Sequence, residues 1–144
     1  MTVHVERFRV GFQDTDSTTR IYFPTYVRWF DMAFIEFLRK NGVVFDASGK
    51  IVFQNQVLDE TLVIGEYGCR ILKPSKYDDL LEVRVSITEL RDKVVRADFT
   101  LTSVDTGGEL SRGWITYVCV DTGSGRSSPF PNELRRMFEA SRNK

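Results

Sequence analysis

From Tyr22 to Leu38 the residues Tyr22, Tyr26, Trp29, Phe30, Ala33, Phe37 and Leu38 recur mostly at steps of three and four, the period of one helix face. Pro24 suits the first turn, where a missing N–H costs nothing, and Asn41-Gly42 supplies a stop. The spacing therefore predicts a helix over Pro24 to Lys40, about 25 Å long. With bulky aromatics over so much of its surface, that helix has to be widely buried, and only a sheet is broad enough to cover it.

The rest of the chain supplies the sheet. Val3 to Phe12 alternates in one phase and then the other, which reads as a strand with a bulge near Glu6-Arg7. Ile51–Leu58, Leu62–Leu72, Leu80–Leu90, Val94–Val104 and Leu110–Val120 read as further strands. Leu81, Val83, Val85 and Ile87 face one way while Glu82, Arg84, Ser86 and Thr88 face the other, as in a sheet covered on one side. Arg91-Asp92-Lys93 and Asp105-Thr-Gly-Gly108 are short turn signals, which make the strands they join antiparallel. Gly123-Ser-Gly-Arg126 reads as a turn before a closing helix from Pro131 to Ala140. The expected architecture is α+β, a long helix wrapped by a curved antiparallel sheet, as one domain over residues 1–144.

Charge and composition remove several functions. Lys plus Arg and Asp plus Glu each number 20, so no global field draws the chain to nucleic acid or to an anionic membrane. No apolar run approaches the ~20 residues needed to span a bilayer. Met1 to Phe8 alternates instead of forming a signal core, so the expected location is the cytoplasm. Cys69 and Cys119 lack CxxC spacing and a histidine cluster, and read as reduced core thiols with no metal site. The single histidine, His4, falls in an alternating segment where an exposed strand position is expected. A Ser-His-Asp or Cys-His site would have to use it, so acid and base chemistry falls to Asp, Glu, Tyr or water.

Asp14 and Asp16 stand two residues apart in a polar stretch just before the long helix. On an extended segment both point the same way. One reading makes them caps or Asx-turn formers, together with Ser17, Thr18 or Thr19. The other makes a carboxylate the general base or nucleophile, with free N–H groups at the helix start polarising a carbonyl oxygen. Spacing alone leaves both open.

Asp14-Thr-Asp16, Ile21-Tyr-Phe-Pro-Thr-Tyr26 and Arg28-Trp-Phe-Asp31 together resemble the signature of the 4-hydroxybenzoyl-CoA thioesterase family of hotdog-fold acyl-CoA thioesterases. Arg70 to Val83 is similar to the family's central strand pair. Val118-Cys-Val-Asp121, Gly125-Arg126 and Pro129 are similar to its C-terminal end. The resemblance implies a hotdog fold and hydrolysis of a thioester to a free acid and coenzyme A. It makes Asp16 the catalytic base or nucleophile, the Phe23 backbone N–H an oxyanion donor, Tyr26 a pocket wall or carboxylate partner, and Asp14 the residue that orients the loop. Arg91 and Lys93 match basic positions that meet the nucleotide end of coenzyme A. Arg126, Arg135 and Arg136 are further basic residues without motif support.

No cofactor is implied beyond coenzyme A as part of the substrate, and the oligomer implied is a homodimer or homotetramer with its site between subunits. The chain departs from the family pattern at Thr19, where a glycine is common, and at Arg20, which is placed to meet an anionic group of the substrate. An acyl-carrier-protein thioester is an alternative substrate, and a non-catalytic acyl-CoA-binding domain is an alternative role. Hydration of a CoA-linked acyl chain pairs Asp with His, for which His4 is poorly placed. The aromatic group Tyr22, Phe23, Tyr26, Trp29 and Phe30 reads mainly as core.

Overall fold

The computed structural model describes residues 1–142. Helix α1 runs Thr25–Lys40 with Pro24 as its N-cap, and the N–H of Asn41 closes it on the carbonyls of Leu38 and Arg39. Gly42 follows at φ 83, a conformation that costs glycine nothing. Five strands cover this helix: β1 (His4–Arg9), β5 (Glu60–Ile71), β6 (Leu80–Leu90), β7 (Val94–Ser103) and β8 (Glu109–Asp121). Their order is β1-β6-β7-β8-β5, antiparallel throughout. A smaller antiparallel sheet of β2 (Val43–Phe45), β3 (Ile51–Phe53) and β4 (Gln56–Val57) follows α1, and α2 (Asn132–Arg142) closes the described chain.

Helix and sheet meet through stacked rings. Phe30 lies on Phe99 with centroids 5.0 Å apart, and Phe34 lies on Tyr117 at 3.9 Å. Phe138 of α2 stacks on Phe34 from the side. Each such ring removes enough apolar surface from water to be worth roughly 1.5–3 kcal/mol. Gly113 of β8 makes the approach possible, because a Cβ there would lie 2.4 Å from the Gly68 carbonyl oxygen and 2.8 Å from the Phe30 ring. The α+β hotdog architecture expected from the sequence is the one observed.

Several local expectations are corrected. β1 pairs with β6 in continuous register and has no bulge: His4, Glu6 and Phe8 are half-buried, while Val5 is exposed. His4 is thus not an exposed residue; its ring is bonded to Glu6 Oε1 at 2.9 Å. Ile51–Leu58 is two short strands, because Gln54 and Asn55 both take positive φ and reverse the chain. Glu82 is buried, with Arg7 and Arg84 both bonded to its carboxylate. Cys119 is a core thiol as expected, and burial pushes its pKa up to about 12. Cys69 is exposed, contrary to the expectation of a core position. Tyr26, Trp29 and Phe30 join the core, whereas Tyr22 and Phe23 do not.

Candidate active site

Between β1 and α1 the chain folds into a 3-10 turn at Phe12–Asp14 and then a narrow loop. The turn sends the two aspartates into different surroundings, so the extended-segment expectation fails. Asp14 is buried: its Oδ2 accepts the Gly11 N–H at 2.9 Å and its Oδ1 accepts the Arg28 guanidinium. Its carbonyl oxygen accepts the Tyr22 N–H at 2.9 Å, which pins the chain just ahead of the helix. Neither aspartate caps α1.

Asp16 is exposed at the mouth of the loop. Its N–H donates to the Arg20 carbonyl at 2.9 Å, and its own carbonyl accepts the Thr19 N–H at 3.0 Å. The Thr18 hydroxyl and N–H both donate to Asp16 Oδ1, and these bonds to the charged form hold the carboxyl below its usual range. Arg20 adds a smaller Coulombic contribution in the same direction. Thr19, where a glycine is common in the family, stands at φ 66. A β-branched residue is rare there.

The first turn of α1 leaves donors without partners, as helix starts do. Tyr22 O accepts the Thr25 N–H and Pro24 O accepts the Arg28 N–H, but the Phe23 N–H has no acceptor among the described residues. Phe23 and Pro24 open onto a cavity of about 520 Å³ between α1 and β5, whose walls include Val27, Arg28, Tyr67 and Cys69. Two turns along the helix, Asp31 also lines this cavity. Its Oδ1 accepts the Tyr117 hydroxyl at 2.8 Å, and burial raises the pKa of both groups above their ordinary values.

The remaining candidate residues are dispersed. Tyr26 is buried against Trp29 at 5.7 Å between centroids and is absent from the cavity wall. Arg20 is exposed and bridges in backbone to Lys76. Arg91 and Lys93 lie in the turn after β6, whereas the Asp16 loop adjoins the start of that strand through the Arg9–Leu80 pair. At ~3.3 Å per residue the two ends are about 30 Å apart, so one chain does not bring Arg91 or Lys93 to Asp16. Arg91 is paired with Glu89 at 2.6 Å, and its carbonyl accepts the Arg135 guanidinium.

Sequence reasoning had Thr18 as a possible Asx-turn partner and Asp31 as part of the signature, but it gave neither a role at the site, and it took Cys69 for a core thiol. A carboxylate four residues after Val27, on an otherwise aromatic helix, was the available signal for Asp31. Among the described residues no group of three His, Cys, Asp or Glu side chains is arranged to hold a metal ion, and no helix is long and apolar enough to cross a membrane.

The sequence profile of the thioesterase-like superfamily matches residues 10–138. The acyl-CoA thioesterase YbgC of Haemophilus influenzae is 25% identical over 130 residues, which span 90% of each chain. Among solved structures, a gentisyl-coenzyme A thioesterase superposes with a TM-score of 0.77 at 28% identity, covering 93% of this chain and 98% of the other. A 1,4-dihydroxy-2-naphthoyl-CoA thioesterase from Synechocystis shares the fold, with a TM-score of 0.81 at 17% identity over 94% of both chains. The family resemblance read from the Asp14 to Asp31 signature is borne out by these matches.

Proposed function

The chain belongs to the thioesterase-like superfamily, and we propose that it is a hydrolase of acyl-CoA thioesters, with Asp16 and the Phe23 N–H as its reaction centre. One observation carries this reading: Phe23, whose N–H has no acceptor among the described residues, lines an apolar cavity at the helix start, and the exposed carboxylate of Asp16 stands in the loop just before that helix.

The thioester carbonyl oxygen would take the Phe23 N–H, where the helix dipole favours the negative charge that develops on attack. Asp16 would either add to the carbonyl carbon or take a proton from the water that does. Collapse of the tetrahedral adduct expels the coenzyme A thiolate, which leaves the acyl group as a free acid after hydrolysis. No residue is required to supply a metal or an organic cofactor. Asp14 serves this centre indirectly, by fixing the loop through Gly11, Tyr22 and Arg28.

The acyl group would run from Phe23 along α1 between Val27 and Tyr67, with Asp31 meeting any hydrogen-bond donor at its far end. Tyr26 packs on Trp29 in the core and is no part of this wall. Arg20 is the cation beside the reaction centre available to the anionic part of coenzyme A. Arg91 and Lys93 would serve a site only across a subunit boundary.

That boundary has a candidate in β5, a twelve-residue edge strand with Val63, Ile64, Tyr67 and Ile71 exposed. A long apolar edge invites pairing with a second copy. The same strand walls the cavity, so a homodimer through β5 would complete the pocket. Sedimentation at micromolar concentration should give a dimer or tetramer; a monomer at all concentrations would remove this part of the reading.

The test of the whole is hydrolysis of a panel of acyl-CoA esters, followed by a thiol-reactive dye, for the wild type and for Asp16→Asn. Binding of intact acyl-CoA without turnover would favour a non-catalytic domain instead.

A further inference from the structure

The two donors of Thr18 converge on one oxygen of Asp16. Its N–H reaches Oδ1 at 2.8 Å and its hydroxyl reaches the same atom at 2.5 Å. Oδ2 accepts from no other residue among those described. The loop is held at both sides of this contact by the Asp16 to Arg20 and Thr19 to Asp16 backbone bonds, with Thr19 fixed at φ 66.

An exposed carboxylate ordinarily turns about its Cβ–Cγ bond and presents either oxygen. In this loop the two oxygens differ: one is occupied twice, the other is left with its lone pairs. Thr18 is itself β-branched and stiff at χ1, so its hydroxyl is not free to wander. The other charged groups nearby are Arg20, which acts on the carboxylate through space, and Lys76, which bridges to Arg20 in backbone. Asp14, two residues back, is turned inward and engaged by Gly11 and Arg28. Thr18 is therefore the group that sets the direction of the Asp16 carboxylate.

We propose that Thr18 is a positioning residue for hydrolysis: by occupying Oδ1 it presents Oδ2 as the atom that attacks the thioester or accepts the proton of water. This rests on Asp16 being the reacting carboxylate. Thr18 acts only through Asp16, so its loss should lower kcat and leave KM nearly unchanged, because an interaction needed for correct geometry at the reacting atoms has gone.

Substitutions at Thr18 and Asp16 test the proposal. Thr18→Val keeps the shape and removes the hydroxyl, and should lower kcat by about tenfold with KM within about twofold. Thr18→Ser restores the donor and should recover most of the rate. A carbon-13 titration of the Asp16 carboxyl gives a second readout: its midpoint should rise toward the ordinary ~3.9 in Thr18→Val and stay low in Thr18→Ser. If Thr18→Val fails to fold by circular dichroism, Thr18→Ala makes the same comparison. Wild-type kcat together with an unmoved Asp16 midpoint in the variant that folds would overturn the proposal. Asp16→Asn separates the two levels: a fully active Asp16→Asn sinks the assignment of Asp16, whereas an inactive one beside an indifferent Thr18→Val sinks the role of Thr18 alone.

Discussion

The buried carboxylate of Asp14 is bonded to the guanidinium of Arg28, which ties the loop before α1 to the first turn of the helix. Gly11 donates to the other carboxylate oxygen at 2.9 Å, so both oxygens are used. Asp14→Asn weakens the Arg28 bond and sets an amide N–H₂ against one of the two donors. It should cost about 1–3 kcal/mol in urea unfolding, the range for leaving a buried polar group badly matched to its donors. Asp16→Asn, at an exposed position, should leave the urea midpoint nearly unchanged. Equal stability losses for the two variants would contradict this division of labour.

Gly113 marks where α1 comes down on the sheet. A Cβ there would meet the Gly68 carbonyl oxygen at 2.4 Å and the Phe30 ring at 2.8 Å, and the backbone oxygen cannot swing aside. Gly113→Ala should therefore destabilise by roughly 2 kcal/mol or more through overpacking. Gly123→Ala is the control, since its Cβ would meet only the Asp121 carboxylate at 3.5 Å and the change should be nearly neutral. Thermal melts of the two variants decide the matter; a stable Gly113→Ala would mean that Phe30 packs differently.

Burial raises the pKa of Asp31, with the Tyr117 hydrogen bond pulling weakly the other way. The unfolded chain loses this proton near 3.8, while the folded protein holds it to higher pH. Stability contributed by the neutral acid is thus complete below 3.8 and is lost as pH rises through the folded value. Asp31→Asn keeps an acceptor for the Tyr117 hydroxyl without the charge, so its midpoint temperature at pH 7 should exceed that of the wild type. The advantage should vanish as pH falls below 3.8. A less stable Asp31→Asn at pH 7 would mean that the ionised carboxylate is worth more to Tyr117 than its burial costs.

The long helix and the main strands were legible because their periods are unambiguous: aromatics at three and four in α1, strict alternation from Leu81 to Ile87 in β6. Where the sequence misled, a local backbone choice had overridden the pattern. Gln54 and Asn55 adopt positive φ and split an apolar run into a hairpin, and neither position carries a glycine to announce it. The β1 phase change was read as a bulge because Val5 is apolar, yet it faces solvent on a strand where Arg7 and Arg9 do the same.

At the candidate site, the Asp14-Thr-Asp16 spacing drew attention to one loop but could not tell the two carboxylates apart. Their difference depends on Arg28, fourteen residues on, and on a 3-10 turn that no glycine or proline inside it signals. Asp31 and Cys69 reach one cavity only because β5 returns beside α1, which is tertiary information. The distance of Arg91 and Lys93 from Asp16 follows from strand order, which the sequence does not state.

Whether Asp16 carries the chemistry is decided by the turnover of Asp16→Asn on the best acyl-CoA from the panel, measured beside its melting temperature. The expected result is a native-like melt with hydrolysis reduced by about 10²- to 10⁴-fold, the range for loss of an acid or base group. A folded Asp16→Asn with wild-type turnover would contradict that role.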